Sequence, residues 1–300
     1  MYVTIFLGTI EQGLLWSIMV LGLYMTFRVL DYADLTVDGS FALGAAVAAR
    51  LIFGGHDPWT ATLLAIVAGA VAGMITGILH TQFRIAPLLS GILSMIALYS
   101  INLRIMGKAN ISLLRLDTVM SKITAIGVPE QWAVLVIGVL VAVLAVVILW
   151  LFLNTEMGFA MRATGDNAQM IRSLGVNTNR IKIIGLSLSN ALVALSGALV
   201  AQYQSFADVG MGIGTIVVGL ASVIIGEVLF GTKSIMRTLI AVVLGSLVYR
   251  IVVAVVLQLG LNPTDLRLFT ALIVTVALAS PILKGKVQSW VASGKGEKSA

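Results

Sequence analysis

Seven runs of about 20 mostly apolar residues constrain this chain more than any other feature, because a helix of that length spans the hydrocarbon core of a bilayer. They lie near 10–27, 59–79, 87–106, 131–153, 182–206, 236–258 and 267–283. With 59% hydrophobic and 11% charged residues among 300, and a mean hydropathy of +1.05, there are too few polar side chains to cover a water-facing surface. The solvent is therefore lipid. Two weaker segments, 39–54 and 213–230, are short and rich in glycine and alanine. The expectation is an all-α polytopic membrane protein with about nine transmembrane helices. The count becomes eight or ten if a weak segment is re-entrant or if 107–130 hides a further half-helix. Residues 1–283 form the transmembrane domain, and 284–300 a short basic tail.

Charge sets an orientation. With the polar stretch 154–181 placed in the cytoplasm and the spans alternating, Arg50, Arg104, Lys108, Arg115, Lys122, Arg250 and Arg267 fall in or near the outer half. The other twelve of the 19 basic residues then lie inside. The bias predicts an outside amino terminus and a cytoplasmic carboxyl terminus. It also accounts for the net charge of +6 without a nucleic-acid partner. The first residues carry no positive region and no small-residue cleavage site, so they read as the start of a retained span. The absence of cysteine removes disulfides, thiol nucleophiles and thiolate metal sites, and His56 and His80 are not spaced as a metal pair. No metal site and no enzyme motif is found.

The stretch 154–181 is the polar interruption in the middle of the chain. Asp166 or Asn167 can cap a short helix there, with Ala168, Ile171 and Leu174 on one face and Gly175 at the position of a C′ glycine. Asn177 or Thr178 can cap the next long helix. Such a helix at a membrane surface suits docking to a soluble partner, and an ordinary loop is the plainer alternative.

The segment Gly158-Phe-Ala-Met-Arg162-Ala163-Thr-Gly165-Asp166-Asn167, followed by Leu174-Gly175-Val-Asn177, resembles the coupling segment of ABC-importer permeases of the branched-chain amino acid family. Gln12-Gly13 through Tyr24, with Asp34-Leu-Thr-Val-Asp38-Gly39-Ser-Phe-Ala-Leu-Gly44-Ala45, resembles the family's amino-terminal signature. Ile225-Gly226-Glu227-Val-Leu-Phe230-Gly231 resembles its second glycine-rich segment. The likeness runs from about residue 12 to 283. Its wording around Asp34–Gly44 is similar to a subgroup linked to aromatic or other amino acids.

The resemblance implies a bacterial inner-membrane permease that passes a small polar solute, such as an amino acid, delivered by an external solute-binding protein. It implies a second permease subunit and two cytoplasmic ATP-binding subunits, with ATP and Mg held by those partners and no cofactor on this chain. Gly158, Arg162, Ala163, Gly165, Asp166, Ile171, Leu174 and Gly175 would then form the ATPase-coupling surface. Gly165 would supply a turn angle that a side chain resists. The alternative from another transport class is an ion-coupled secondary transporter.

Other residues are weighed singly. Asp38, Gly39, Ser94, Asn102, Asn190 and Glu227 are candidates for the translocation path, with interhelical hydrogen bonding as the alternative use of the polar ones. Glu227 lies well within a predicted span, and Lys233 or Arg237 is its expected counter-ion. Arg250 could meet an acidic substrate group or a helix-end carbonyl. Gly69, Gly73 and Gly77 share a helix face and permit close packing, within the chain or between subunits. Gly226–Gly231 with Lys233 fails as a nucleotide loop because Thr232 intervenes. Finally, Tyr32-Ala33-Asp34 and Phe206-Ala207-Asp208 each precede a weak segment on opposite sides, as in an inverted repeat. In that case 35–48 and 209–226 face each other near the midplane.

Overall fold

A computed structural model describes residues 2–258 together with Leu268, Leu272 and Thr275. Apart from those three positions, the predicted span 267–283 and the tail 284–300 lie outside the described residues. The chain divides into two compact units, Met1–Ile251 and Val252–Ala300, and the contacts below belong to the first.

Helix α1 (Tyr2–Tyr24) runs into one π-helical turn, Met25–Val29. There follow α2 (Thr36–Phe53), α3 (Pro58–Thr81), α4 (Pro87–Met106), strand β1 (Asn110–Ser112), α5 (Val119–Thr124) and α6 (Glu130–Leu153). The second half holds α7 (Glu156–Ser173), α8 (Thr178–Gln204), strand β2 (Phe206–Asp208), α9 (Thr215–Phe230) and α10 (Ile235–Gln258). Among the described residues seven helices are long and apolar enough to cross a membrane, and α9 is a shorter apolar helix. Local chemistry explains the boundaries. Pro58 and Pro87 sit in first turns, where the missing N–H costs nothing. Asp57 accepts from Trp59 N to cap α3, and Gly107 closes α4 at φ 72°.

The surface is apolar where a soluble protein's would be polar: Leu63, Leu64 and Val67 on α3, and Leu140 and Val143 on α6, are all exposed. Lipid gives no hydrophobic drive to helix association, so close backbone contact and interhelical hydrogen bonds carry it. α3 packs on α8 along Gly69, Gly73 and Gly77. A Cβ at Gly69 would strike Asn190 O, one at Gly73 would strike Leu186 O, and one at Gly77 would lie 2.8 Å from Ile183 Cα. These glycines thus pack within the chain. Ser187 donates to Ala70 O (2.8 Å), Ser189 to Gly22 O (2.7 Å) and Ser196 to Leu15 O (2.7 Å). Each such bond contributes about 0.6 kcal/mol.

The stretch 107–130 holds more than the half-helix considered from sequence. β1 pairs antiparallel with β2, Ile111 opposite Ala207, and both of those side chains are buried. The pairing supplies backbone partners where α8 has ended and α9 has not begun, which no apolar run could reveal.

Candidate functional site

The helix α7 is built from two local signals. Thr155 Oγ1 accepts from Gly158 N (3.2 Å) and starts it. At Asn167 the backbone leaves the helix (φ −156°, ψ 91°), and Asn167 Oδ1 accepts from Met170 N (3.0 Å) to begin a second short segment. Asn167 is therefore the cap and Asp166 is exposed. Gly175 takes φ 88°, and Asn177 Oδ1 accepts from Arg180 N (3.2 Å) to open α8. The helical half before Asn167 was not foreseen, because its capping threonine lies at the end of an apolar run.

Two expectations on this segment need correction. Gly165 does not occupy a turn angle: it lies inside the helix, and a Cβ there would strike Val29 O at the end of the π-helical turn. Its job is close contact, as is that of Gly158, where a Cβ would strike Phe152 O. Ile171 is buried whereas Leu174 is 70% exposed, since Leu174 is the capping residue and has turned off the helix face. Met161 is fully buried against α8 near Gly185 and Leu30. The guanidinium of Arg162 lies 4.6 Å from the Phe159 ring, and its Nε is buried without a hydrogen-bond partner. Ala163 is half-buried beside it. Phe159, Met170 and Leu174 stand exposed as apolar side chains on an otherwise polar helix.

Behind α7 lies a chain of polar groups, half-buried at Lys182 and His80 and buried beyond them. Lys182 Nζ is 3.2 Å from His80 Nε2, and His80 Nδ1 is 2.8 Å from Ile85 O. The His80 ring stands edge-on to Tyr32, whose hydroxyl is 2.6 Å from Ser90 Oγ. Deeper, Thr76 Oγ1 donates to Ser94 Oγ (2.7 Å) and lies 2.8 Å from Thr36 Oγ1. Asp34, fully buried, accepts from Thr36 N (2.9 Å) and Asn190 Nδ2 (2.7 Å). Sequence reasoning missed Asp34 as the hub of this network. The one available signal was Asp34-x-Thr36, the spacing of a turn in which the carboxylate bonds the backbone two residues on.

Glu227 pairs with Arg28, at the end of the π-helical turn, and not with Lys233 or Arg237. Arg237 Nε instead donates to Phe230 O (2.8 Å), ending α9. Arg250 is stacked on Trp16, its guanidinium 3.8 Å from the ring, with Nε buried and unpartnered.

The two interrupted segments meet. Asp38, in the first turn of α2, accepts from Gly214 N (2.9 Å), Thr215 Oγ1 (2.8 Å) and Ile216 N (3.0 Å), capping α9 from across the molecule. Asp38 is about 22 Å from the far end of α2 and Thr215 about 22 Å from the far end of α9, at 1.5 Å per residue. Beside this junction a cavity of about 320 Å³ opens between α2, α4 and the loop before α9. Asp38, Gly39 and Asn102 line it. Ser94, Asn190 and Glu227 do not, since the first two belong to the buried network and Glu227 to the ion pair at the α7 end.

These features define a multi-pass transport protein with a surface helix seated on the ends of its spans. Residues 5–279 match the model of the branched-chain amino acid transport system permease component. The chain belongs to that family and is an ABC transporter permease subunit, a multi-pass membrane protein. It is 43% identical to the tyrosine transport system permease protein of Clostridioides difficile (strain R20291), over 91% of this chain and 90% of that one. It is 36% identical to an uncharacterised protein of Rickettsia prowazekii (strain Madrid E), over 92% and 97%. It is 31% identical to the autoinducer 2 import system permease protein LsrC of Yersinia pseudotuberculosis (serotype O:1b, strain IP 31758), over 71% of this chain and 59% of that one. A solved inward-facing metal-chelate type ABC transporter shares the fold, with a TM-score of 0.50, 14% identity, and coverage of 94% of this chain and 85% of that one. Family membership sets aside the ion-coupled alternative and implies a separate ATPase subunit.

Proposed function

We propose that this subunit imports an amino acid, with an aromatic one such as tyrosine as the first candidate. It would work with a second permease copy or homologue, two cytoplasmic ATPases that hold ATP and Mg, and an external solute-binding protein. The amino terminus lies outside and α7 faces the cytoplasm. The observation that carries the reading is the seating of α7. Gly158 and Gly165 fix it against the ends of α6 and the π-helical turn, while Arg162, Phe159, Met170 and Leu174 remain for a partner. Movement of α7 then reaches Val29 and Leu30 directly, and through them the start of α2. The 43% identical tyrosine permease supports the substrate class.

The test is ATP hydrolysis stimulated by the loaded binding protein in vesicles containing all partners. Removing one side of a partly desolvated charged contact costs about 2–5 kcal/mol. Arg162→Ala loses such a contact and Gly165→Val drives a side chain into Val29 O; both are expected to leave the subunit inserted while abolishing uptake and stimulation. Wild-type stimulation in both variants would reduce α7 to a connecting segment. Single cysteines at Ser173 and Ser112, in a chain with no native cysteine, should react only from the cytoplasmic and outer sides respectively.

A further inference from the structure

We infer that the cavity beside Asp38 is a solute subsite for an ammonium group carried next to an apolar side chain. The inference rests on the amino-acid reading above and names which half of the solute this chain holds. The cavity volume, about 320 Å³, sits at the lower end of the range for small-molecule sites, about 300–1,000 Å³. Its walls are mostly apolar, with Ile96 and Tyr99 from α4 and Ile213 from the loop before α9. Its polar lining is the Asp38 carboxylate, the Asn102 amide and the hydroxyls of Tyr99 and Ser100. Asn102, 1% exposed, donates Nδ2 to Gly39 O (3.2 Å), which leaves Oδ1 buried and without a partner. An amide oxygen orphaned in this way is costly unless a donor arrives.

Asp38 sharpens the choice. Its carboxylate already accepts three donors from the start of α9, and Asp34 accepts Thr36 N at the start of α2. The backbone donors that helix N-termini would otherwise offer an anion are thus taken by the chain's own acids. Asp38 Oδ2 has a single donor and can accept another. Neither lysine nor arginine lines the cavity. A carboxylate solute finds no cation there, only the Tyr99 and Ser100 hydroxyls, whereas an ammonium finds the charged oxygen of Asp38. The solute's carboxylate, if present, is left to the exposed Ser100 hydroxyl.

The experiment uses the complete transport complex in lipid nanodiscs with Ser100→Cys as the one thiol. Its alkylation rate is followed with L-phenylalanine, 2-phenylethylammonium or 3-phenylpropanoate present, and uptake is measured in parallel vesicles. Protection by the first two and none by the acid is expected. Adding Asn102→Leu should weaken protection about tenfold, the size of one lost charge-assisted hydrogen bond, and Asn102→Asp should retain it. Equal protection by the acid overturns the inference. So does no protection by any probe, or a thiol that never reacts, which would mark a groove filled by lipid. Wild-type amino-acid uptake without protection sinks the subsite and leaves the import reading standing. Protection by the amine in a complex that imports no amino acid does the reverse.

Discussion

The two places where the chain halts and restarts a helix inside the bundle, residues 30–35 and 205–214, begin alike and are held differently. Each contains an aromatic-Ala-Asp triplet, and in each the aspartate accepts from the backbone N–H two residues on: Asp34 from Thr36 (2.9 Å) and Asp208 from Gly210 (2.8 Å). The first turn is sealed inside a side-chain network that includes Asn190. The second is half-exposed and is held by backbone, through the β1–β2 pairing and Val209 N to Ala109 O (3.0 Å). A local motif can therefore set the same turn twice, while the partners around it decide how much breaking it costs. Asp38 joins the two, rooted in α2 beyond the first break and capping α9 beyond the second.

The difference can be broken by substitution. Asp34→Ala strands Thr36 N and one Asn190 donor in a site closed to water, at about 1–3 kcal/mol for each. A loss of ~3 kcal/mol or more is expected in the thermal unfolding midpoint of the purified complex. In a cycle with Asn190→Ala, the two losses should fall short of additivity by about 0.5–3 kcal/mol. Asp38→Ala removes a helix cap beside a cavity that admits other donors and acceptors, and about 1–2 kcal/mol is expected. Asp208→Ala should cost about 0.5 kcal/mol or less by the same measurement. A larger effect for Asp208 than for Asp34 would reverse the comparison. Glu227→Gln, whose partner Arg28 is half-exposed, is likewise expected to cost less than about 1 kcal/mol. Uptake should weaken without any change in its pH dependence, and an altered pH profile would assign Glu227 a proton.

What could be read in advance follows the reach of each interaction. Asn167, Gly175 and Asn177 mark helix ends through bonds spanning two or three residues, so the sequence around them sufficed. The apolar runs gave α3, α4, α6, α8 and α10 because lipid imposes a length. The start of α1 at Tyr2 was missed because a span needs only about 20 residues, and the one placed at 10–27 left the residues ahead of it unassigned. Arg28 was missed as the partner of Glu227 because 199 residues separate them, whereas Lys233 and Arg237 lie close by in the chain. The network around Asp34 draws on Thr76, Ser94 and Asn190, residues common enough in spans that no spacing singles them out. Gly165 shows the limit from the other side: a glycine beside polar residues suggests a turn, and only the approach of Val29 reveals that the space itself was needed.

The ladder of Gly69, Gly73 and Gly77 has a mechanical consequence. With backbone resting on backbone, no side chain at those points can swing to absorb sliding. Advancing α3 by one turn would carry Gly73 and Gly77 into the next notches, but Thr81 would arrive opposite Ile183 with a side chain the notch has no room for. Retreating by one turn would bring Ala65 against Asn190, and its methyl would collide. The α3–α8 contact thus behaves as a three-toothed key in its lock, able to turn with the whole bundle but not to slip. Any stroke delivered at α7 has to be taken up by helices outside that pair.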